Sequence, residues 1–455
     1  MSHSSPPLDY RQALQAITGR GRFGIHLGLG RTRALLAALG DPQRTVRGAL
    51  VGGTNRKGSV LALAASAARA AGLRVAETPK PHLVSYRERL QFDGRPVDPA
   101  TFARLVGEVL PLADRVARRH GEPTEFELLT AMMFRWFGEL APDVALVEVG
   151  LGGRLDATHA WDGGVAVVTN VDLDHMDRLG STIAAIAREK AAIIERGDQA
   201  VTATTGEALE IVRRRARRLG VPLVEVMAPT LLDWDRDGLL VELPRLGPTR
   251  IGLRGRHQAT NAATAHALLD ALGAAGIAVV DDEARRRGFA DARWPGRLEL
   301  IEHDGGEVLL DGAHNPAGAA ALAAALADLR PFMAGGDPDQ RATLTLLTAT
   351  MADKDVVGMV TAFGRSTELA GATIVCTQLD EGRALPAASL AAAWTSHGPV
   401  GCRVLEEPDA AAAFDRALKA SRSAGGPLVV AGSLYLVGAI RARLVDDPAL
   451  RDPEA

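Results

Sequence analysis

Short apolar runs alternate with longer stretches of helical periodicity along most of this 455-residue chain. Mostly apolar runs occupy positions 47–53, 144–149 and 165–169, and each is shorter than an ordinary helix. A helical pattern follows the first run from about Gly58 to Ala71, and a strand is predicted next at 73–76. Further along, Ser181 or Thr182 is predicted to cap a helix that runs to about Glu195. This alternation predicts parallel β-sheets covered by helices, which is the α/β class.

A Trp-Pro-Gly-Arg segment at positions 294–297 interrupts the alternation, which then restarts. Beyond it, positions 308–311 read as a strand, and Pro316 stands where an Ala-rich helix would have its first turn. Further strands are predicted at about 343–347, 373–377, 403–406 and 428–431. We therefore expect an N-terminal domain over 1–296 and a C-terminal α/β domain over 297–455.

Composition and charge exclude several classes of function. A formal net charge of −3 gives no reason to expect nucleic acid or a membrane surface as a partner. The two cysteines cannot build a disulfide framework, and no apolar stretch is long enough to span a bilayer. The first ten residues contain no apolar signal core. These features predict a cytoplasmic protein without a nucleic-acid or membrane partner.

The loop after the first apolar run has the composition of a phosphate-binding loop. Positions 52–59 read Gly-Gly-Thr-Asn-Arg-Lys-Gly-Ser, between a strand pattern and a helix pattern. Backbone N–H groups would face the anion, Lys57 would add a positive charge, and Ser59 would offer a hydroxyl to Mg²⁺. Arg56 stands where such loops usually carry glycine, and a positive φ there would cost about 1–2 kcal/mol. The pattern predicts ATP binding; a Gly-rich turn that binds nothing is the alternative.

Acidic residues follow two other apolar runs, at strand ends of the kind that hold a nucleotide's Mg²⁺. Glu148 ends one run, and Asp172, Asp174 and His175 come directly after the next. Glu148 could instead cap its strand, and a single histidine is more often structural than a ligand. Lys190 lies on an amphipathic helical pattern, and its spacing alone predicts a surface lysine.

Four blocks of the sequence occur together and in order. They are the phosphate loop, the run Glu-Val-Gly-Leu-Gly-Gly-Arg-Leu-Asp-Ala-Thr from Glu148, the pair Asp174-His175, and Glu-Lys-Ala-Ala-Ile from Glu189. They resemble the folylpolyglutamate synthase/dihydrofolate synthase family of the Mur-ligase superfamily. The resemblance covers nearly the whole chain and departs at Arg56, where the family has glycine. It implies a P-loop ATPase domain of the Mur-ligase type with a parallel-rich sheet, and a C-terminal Rossmann-like α/β domain.

The resemblance also implies roles for individual residues. Ser59, Glu148 and His175 are expected to bind Mg²⁺, and Lys190 is expected to be carbamylated, which would let it help hold a second Mg²⁺ ion. The family's N-terminal lead-in is matched at positions 23–31, and Lys80 replaces a usual serine in the pterin-side loop. The substrate-binding residues implied are Pro81, His82, Arg89 and Asp156. The ATP-binding residues implied are Gly53, Thr54, Asn55, Lys57, Gly58, Ser59, Gln258, Asn261, Arg297, Asp311 and His314.

The function implied is ATP-dependent ligation of L-glutamate to dihydropteroate, to folylpolyglutamate or to both, by a monomer acting through an acyl phosphate. Lys57, His175 and Lys190 would be its catalytic residues. One alternative is another Mur-type amino-acid ligase, but those carry a whole domain before the phosphate loop, and only about fifty residues precede it here. A second alternative is a folate- or nucleotide-binding relative whose catalysis is impaired by Arg56.

Overall fold

The computed structural model describes residues 8–20, 27–337 and 341–453. Of the N-terminal lead-in block, positions 23–26 lie outside the described residues. Three sheets organise the described part of the chain, with eight, three and six strands. The first two lie before residue 296 and the third after it, so the domain boundary predicted there separates sheets rather than cutting through one.

The eight-stranded sheet carries the phosphate loop. Its neighbouring strands pair in parallel, apart from the antiparallel hairpin at one edge. The spatial order is β4-β3-β2-β5-β1-β6-β7-β8. The strands are β1 (Gly48–Gly52), β2 (Val75–Thr78), β3 (Gln91–Phe92), β4 (Arg95–Pro96), β5 (Val144–Glu148), β6 (Gly164–Val168), β7 (Gln199–Thr202) and β8 (Leu223–Glu225).

Helices cover both faces of this sheet, which explains why its central strands are buried on both sides. β1 lies between β5 and β6, so the loops that follow these three strands meet at one edge of the sheet. The helices are α1 (Tyr10–Thr18), α2 (Gly30–Ala38), α3 (Lys57–Ala70), α4 (Pro99–His120), α5 (Glu125–Leu140), α6 (Met176–Leu179), α7 (Ile183–Ala191) and α8 (Gly206–Leu219).

A small antiparallel sheet and two helices complete the part before residue 296. The sheet consists of β9 (Thr230–Asp235), β10 (Gly238–Leu243) and β11 (Gly247–Ile251). The helices are α9 (His257–Ala274) and α10 (Asp282–Asp291). Both pack against α3, and together with β10 and β11 they form the second large apolar core.

The C-terminal sheet is parallel except for its first hairpin, in the order β12-β13-β17-β14-β15-β16. Apolar cores lie on both of its faces. Its strands are β12 (Glu299–His303), β13 (Gly306–Leu310), β14 (Thr345–Thr348), β15 (Thr373–Cys376), β16 (Arg403–Glu406) and β17 (Leu428–Ala431). Its helices are α11 (Pro316–Leu329), α12 (Val356–Gly364), α13 (Ala387–His397), α14 (Ala410–Ala424) and α15 (Leu434–Leu444).

The α/β class predicted from the alternation is confirmed, and Pro316 opens its helix as expected. In the described part of the chain, no helix has the length and apolar character needed to cross a bilayer.

Candidate functional site

The phosphate loop runs from the end of β1 to the start of α3 and is held against the end of β6. The backbone N–H of Thr54 donates to the Asn170 carbonyl at 2.9 Å, and that of Asn55 donates to the Asn170 side chain at 2.9 Å. Gly53 has φ 150°, and a Cβ there would lie 1.9 Å from the Thr169 hydroxyl oxygen. Only glycine fits at this contact, so close packing on β6 determines the path of the loop.

Arg56 adopts the left-handed conformation that the sequence pattern associates with glycine. Its φ is 71°, and it is the residue from which α3 starts. The side chain is partly buried and lines the cavity described below, as does Asp172. Burial lowers the pKa of the guanidinium, which the charge of Asp172 partly offsets. The strain expected for a side chain at this position is therefore present.

Two lysines share one carbonyl at the centre of the loop. The Lys57 ammonium donates to the carbonyls of Gly53 and Thr54 at 3.1 and 3.2 Å. The Lys190 ammonium donates to the same Gly53 carbonyl at 2.9 Å. Lys190 is 4% exposed, so the surface-lysine interpretation of its spacing is wrong. Burial, and after it the charge of Lys57, lower the pKa of Lys190 to about 7.

Glu148 ends β5 beside this loop and is 4% exposed. One carboxylate oxygen lies 3.8 Å from the Lys57 ammonium, and the other accepts the backbone N–H of Lys80 at 3.0 Å. The Lys80 ammonium donates to the Glu148 carbonyl at 2.6 Å and lies 4.7 Å from the ring centroid of Phe126. Burial raises the pKa of Glu148, while Lys57 and Lys80 oppose that rise.

The C-terminal part of the chain contributes a loop that begins where β13 ends. The Asp311 carboxylate accepts the backbone N–H groups of Leu298 and Ala313, at 3.0 and 2.9 Å. The His314 imidazole contacts the Gly312 carbonyl at 2.7 Å, and burial lowers the pKa of His314 to about 4. His314 is therefore neutral at pH 7. The Asp311 carboxylate holds the shape of its own loop as well as facing the site.

These loops enclose a cavity of about 430 Å³ between the two parts of the chain. The phosphate loop, the end of β5 and the loop after β13 all contribute to its wall, which brings together residues as far apart in sequence as Thr54 and Leu434. The predicted site residues that line it are Thr54, Asn55, Lys57, Gly58, Ser59, Pro81, Arg89, Glu148, Asn261, Arg297, Asp311 and His314.

Four other predicted residues lie behind the wall rather than in it. Gln258 donates to the Ser59 hydroxyl at 3.4 Å and accepts the Asn261 side-chain amide at 2.7 Å. His82 accepts a hydrogen bond from Arg89 at 2.9 Å. The Lys190 ammonium donates to the backbone carbonyl of Gly53, which places both residues directly behind the cavity wall. These residues support the lining from the second layer.

Two predicted residues have other surroundings. The Asp156 carboxylate is 3% exposed and accepts N–H groups of Leu151 and Thr158, so both oxygens stabilise the Gly-rich turn after β5. His175 is exposed, has φ 50°, and its Nε2 lies 4.0 Å from the Asp174 carboxylate. The roles assigned to these two residues stay predictions.

Some lining residues were not singled out from the sequence. His257, Trp294 and Asn315 line the cavity, and a Cβ at Gly58 would lie 2.5 Å from the Trp294 ring. The available signal was their closeness in sequence to the predicted residues Gln258, Arg297 and His314. Their approach to the phosphate loop depends on how α9 and the C-terminal part pack.

Side chains alone provide little for a metal ion here. In the ranges that the structure describes, no group of three or more His, Cys, Asp or Glu residues is arranged to hold one. Ser59 and Glu148 both line the cavity and are hard oxygen donors of the kind that Mg²⁺ prefers. Phosphate oxygens of a nucleotide would have to complete the coordination, so the residues fit a metal ion that enters with ATP.

A strand–loop–helix phosphate site, an acid at the adjacent strand end and a second α/β unit closing the cavity define a Mur-type, ATP-dependent ligase. Residues 296–434 match the family model described as Mur ligase, glutamate ligase domain. The dihydrofolate synthase/folylpolyglutamate synthase of Bacillus subtilis is 34% identical over 450 residues, covering 96% of this chain and 99% of that protein. The chain therefore belongs to the dihydrofolate synthase/folylpolyglutamate synthase family.

Solved structures agree with this assignment. The folylpolyglutamate synthase of Mycobacterium tuberculosis, complexed with ADP and AMPPCP, has a TM-score of 0.84 at 32% identity and matches 97% of this chain and all of its own. The bifunctional folylpolyglutamate synthase/dihydrofolate synthase of Yersinia pestis, complexed with AMPPNP and a Mn ion, has a TM-score of 0.79 at 26% identity, with 97% and 100% covered. These similarities support binding of a nucleotide and a divalent metal ion.

Proposed function

We propose that this protein ligates L-glutamate to dihydropteroate, to a folylpolyglutamate or to both, and that ATP first converts the accepting carboxylate to an acyl phosphate. The observation that carries the proposal is the shared cavity: Lys57 and Glu148 line it from one part of the chain, and Asp311 and His314 from the other. The substrate class, folate precursors and folates, is inferred from the related synthases. The cavity is the place where we propose that nucleotide and acceptor bind.

The residues suit this chemistry because a carboxylate oxygen is a poor leaving group. Phosphorylation makes it a good one, and the amine of glutamate can then displace phosphate. Lys57 would stabilise the negative charge of the transferring phosphoryl group. Closure of the C-terminal part over the cavity would keep water from the acyl phosphate, which would otherwise hydrolyse.

Mg²⁺ bound with ATP would neutralise phosphate charge, and Ser59, Glu148, His175 and a carbamylated Lys190 are the residues we propose to hold it. Carbamylation is supported by the shared Gly53 carbonyl, where two buried ammonium groups would repel each other. A carbamate on Lys190 would carry a negative charge, and its contact with Lys57 would become attractive. The family resemblance implies two such ions.

Other parts of the cavity would bind the remaining groups. We propose that Gln258 and Asn261 contact the adenine, and that Arg297, Asp311 and His314 contact ATP from the C-terminal side. Pro81, His82, Arg89 and Asp156 would form the folate side. We also propose that the protein acts as a monomer in the cytoplasm. Gel filtration of the protein used in the ligation assays tests its oligomeric state.

The test is ligation of radiolabelled L-glutamate by the purified full chain with ATP and Mg²⁺. Dihydropteroate and tetrahydrofolate serve as separate acceptors, and products are resolved by chromatography. Label transferred to either acceptor, with one phosphate released per bond, supports the function and identifies the preferred acceptor. Binding of ATP without transfer to either acceptor would contradict it.

One observation favours a second candidate function, a nucleotide-binding relative with impaired catalysis. Arg56 is held at φ 71°, where glycine is unstrained, and it lines the cavity in which the phosphates would lie. A side chain there can displace the phosphates from the reacting geometry. Nucleotide binding with no release of phosphate, with or without acceptor, would favour this candidate over the ligase.

A further inference from the structure

Lysine is rare in this chain, and its few positions are not random. Of 52 lysines and arginines, only five are lysines. Three of them, Lys57, Lys80 and Lys190, lie in or directly behind the cavity, whereas Lys354 is partly buried outside the cavity lining and Lys419 lies on the exposed face of α14. Arginine serves nearly everywhere that a positive charge is needed on the surface. At these three positions the charge is a compact ammonium, unlike the planar guanidinium groups of the arginines that also line the cavity.

Lys80 is the least expected of the three, because the family usually has serine there. Its ammonium lines the cavity, donates to the Glu148 carbonyl at 2.6 Å and faces the Phe126 ring at 4.7 Å. Its backbone N–H donates to the Glu148 carboxylate at 3.0 Å. The Glu148 carbonyl and the Phe126 ring thus hold the ammonium in place, and the backbone contact keeps the residue beside the acid proposed to bind metal.

The surroundings of Glu148 leave little negative charge for two divalent cations. One carboxylate oxygen lies 3.8 Å from the Lys57 ammonium, and the charges of Lys57 and Lys80 both lower the pKa of Glu148 against the effect of burial. Arg56 and Arg297 also line the cavity. In the described part of the chain, no three acidic, histidine or cysteine side chains converge on a metal position. The residues fit one nucleotide-bound ion and do not fit a second beside Lys80.

We propose that the Lys80 ammonium takes the place of one of the two divalent cations, so that this enzyme binds a single metal ion with its nucleotide. The inference rests on the proposed ATP-dependent function. Lys80 supplies positive charge next to Glu148 without coordination, and it repels a dication that would approach the same side of the carboxylate. The remaining ion would be held by the residues already proposed for it, of which Ser59 and Glu148 line the cavity.

The test counts Mn²⁺ ions bound to the full-length protein at saturating AMPPNP, using the electron paramagnetic resonance signal of free Mn²⁺. AMPPNP binding is measured separately by calorimetry. The wild type should hold one Mn²⁺ per chain, and Lys80→Ser should hold two, because serine removes the charge and adds an oxygen donor. Lys80→Arg should retain one ion, since it keeps the charge. Lys419→Ser is the matched control and should behave as the wild type.

Each possible Mn²⁺ count either supports the single-ion proposal or overturns it. Two Mn²⁺ ions on the wild type would overturn the proposal, whatever the variants do. One ion on both the wild type and a folded Lys80→Ser protein would also overturn it, because Lys80 would then not be what excludes the second ion. Failure of AMPPNP to bind at all would remove the nucleotide function on which the inference depends, and is distinguished by the calorimetry. If Lys80→Ser does not fold, the wild-type count still decides.

Discussion

Arg56 brings two opposing effects to one position of the phosphate loop. Its φ of 71° strains the backbone by about 1–2 kcal/mol, and its side chain crowds the cavity wall. Its guanidinium also attracts phosphate, but attraction at a partly solvated site amounts to about 1 kcal/mol or less. Misplacing a reacting phosphoryl group by about 1 Å can cost on the order of a hundredfold in rate. Geometry should therefore outweigh charge.

We expect Arg56→Gly to raise kcat for ligation while the KM for ATP stays equal or increases slightly. Steady-state ligation at saturating glutamate, with wild type and variant side by side, measures both. Arg56→Lys separates the effects, because it keeps the charge and the strained backbone and should not gain turnover. A glycine variant that is equal or slower would show that the loop has adapted to arginine.

Lys190 is the residue whose chemical state matters most to the metal site. If it is carbamylated, Lys190→Ala removes a metal-binding anion, and ligation should fall by at least a hundredfold. Added acetate should restore part of the activity, since a small carboxylate can occupy the space left behind. A carbamate signal after exposure to ¹³C-labelled bicarbonate, seen by NMR in the wild type and absent from the variant, is the independent measurement. Full ligation by the alanine variant without acetate would rule the carbamate out.

Residue by residue, the site is predictable where it follows a strand end. Lys57, Ser59 and Glu148 can be assigned from local pattern, since the carboxyl ends of adjacent parallel strands meet at one edge of the sheet. Lys190 cannot, because its burial depends on α7 packing beside the phosphate loop. The position of the Lys80 ammonium cannot be predicted from local pattern either, because its contact with Phe126 joins two segments that are far apart in sequence.

Helices α3 and α10 approach each other closely at a glycine of α10. A Cβ at Gly288 on α10 would lie 2.3 Å from the Ala67 Cα atom on α3. α3 starts at Lys57, so this contact supports the helix that carries the phosphate loop. We expect Gly288→Ala to destabilise the protein by about 1–3 kcal/mol through overpacking, despite the better helix propensity of alanine.

Gly107 on α4 is the matched control for this substitution. It is an exposed helical glycine, and a Cβ added there would have no heavy atom of another part of the chain within 4 Å. Gly107→Ala should stabilise the protein by about 0.4–1 kcal/mol, because it lowers the entropy of the unfolded chain. Urea unfolding of both variants beside the wild type measures the difference. Equal effects of the two substitutions would contradict the close contact at Gly288.

The elements themselves show where apolar patterning is and is not informative. The pattern predicts a strand at 73–76, whereas β2 spans Val75–Thr78, because Glu77 is buried by pairing with Arg69 and reads as polar in the sequence. The helix capped by Thr182 is predicted to reach Glu195 but ends at Ala191. The antiparallel strands β9 to β11 escape prediction, since their exposed faces carry no continuous apolar run.

In the whole molecule, contacts between the two parts of the chain extend beyond the cavity. Arg256 pairs with Asp328 at 2.7 Å and lies 4.2 Å from the Trp234 ring, and Trp234 donates to the Asp328 carbonyl at 3.3 Å. Arg236 pairs with Glu307 in the same region. Residues of the small sheet β9–β11 and its turns therefore contact α11 and β13 directly. These contacts help to hold the C-terminal part in position over the phosphate loop.

This arrangement predicts that neither part of the chain can ligate alone. Lys57 and Glu148 lie before the proposed boundary at residue 296, whereas Asp311 and His314 lie after it, and the cavity needs both. Fragments 1–296 and 297–455, expressed separately and checked for folding by circular dichroism, should each show no transfer of labelled glutamate. The first fragment should also lose protection of an acyl phosphate from water, so any ATP that it uses should yield free phosphate without product. Ligation by the first fragment at the rate of the intact chain would show that the C-terminal part does not complete the site, and it would remove the reason for assigning Asp311 and His314 to ATP.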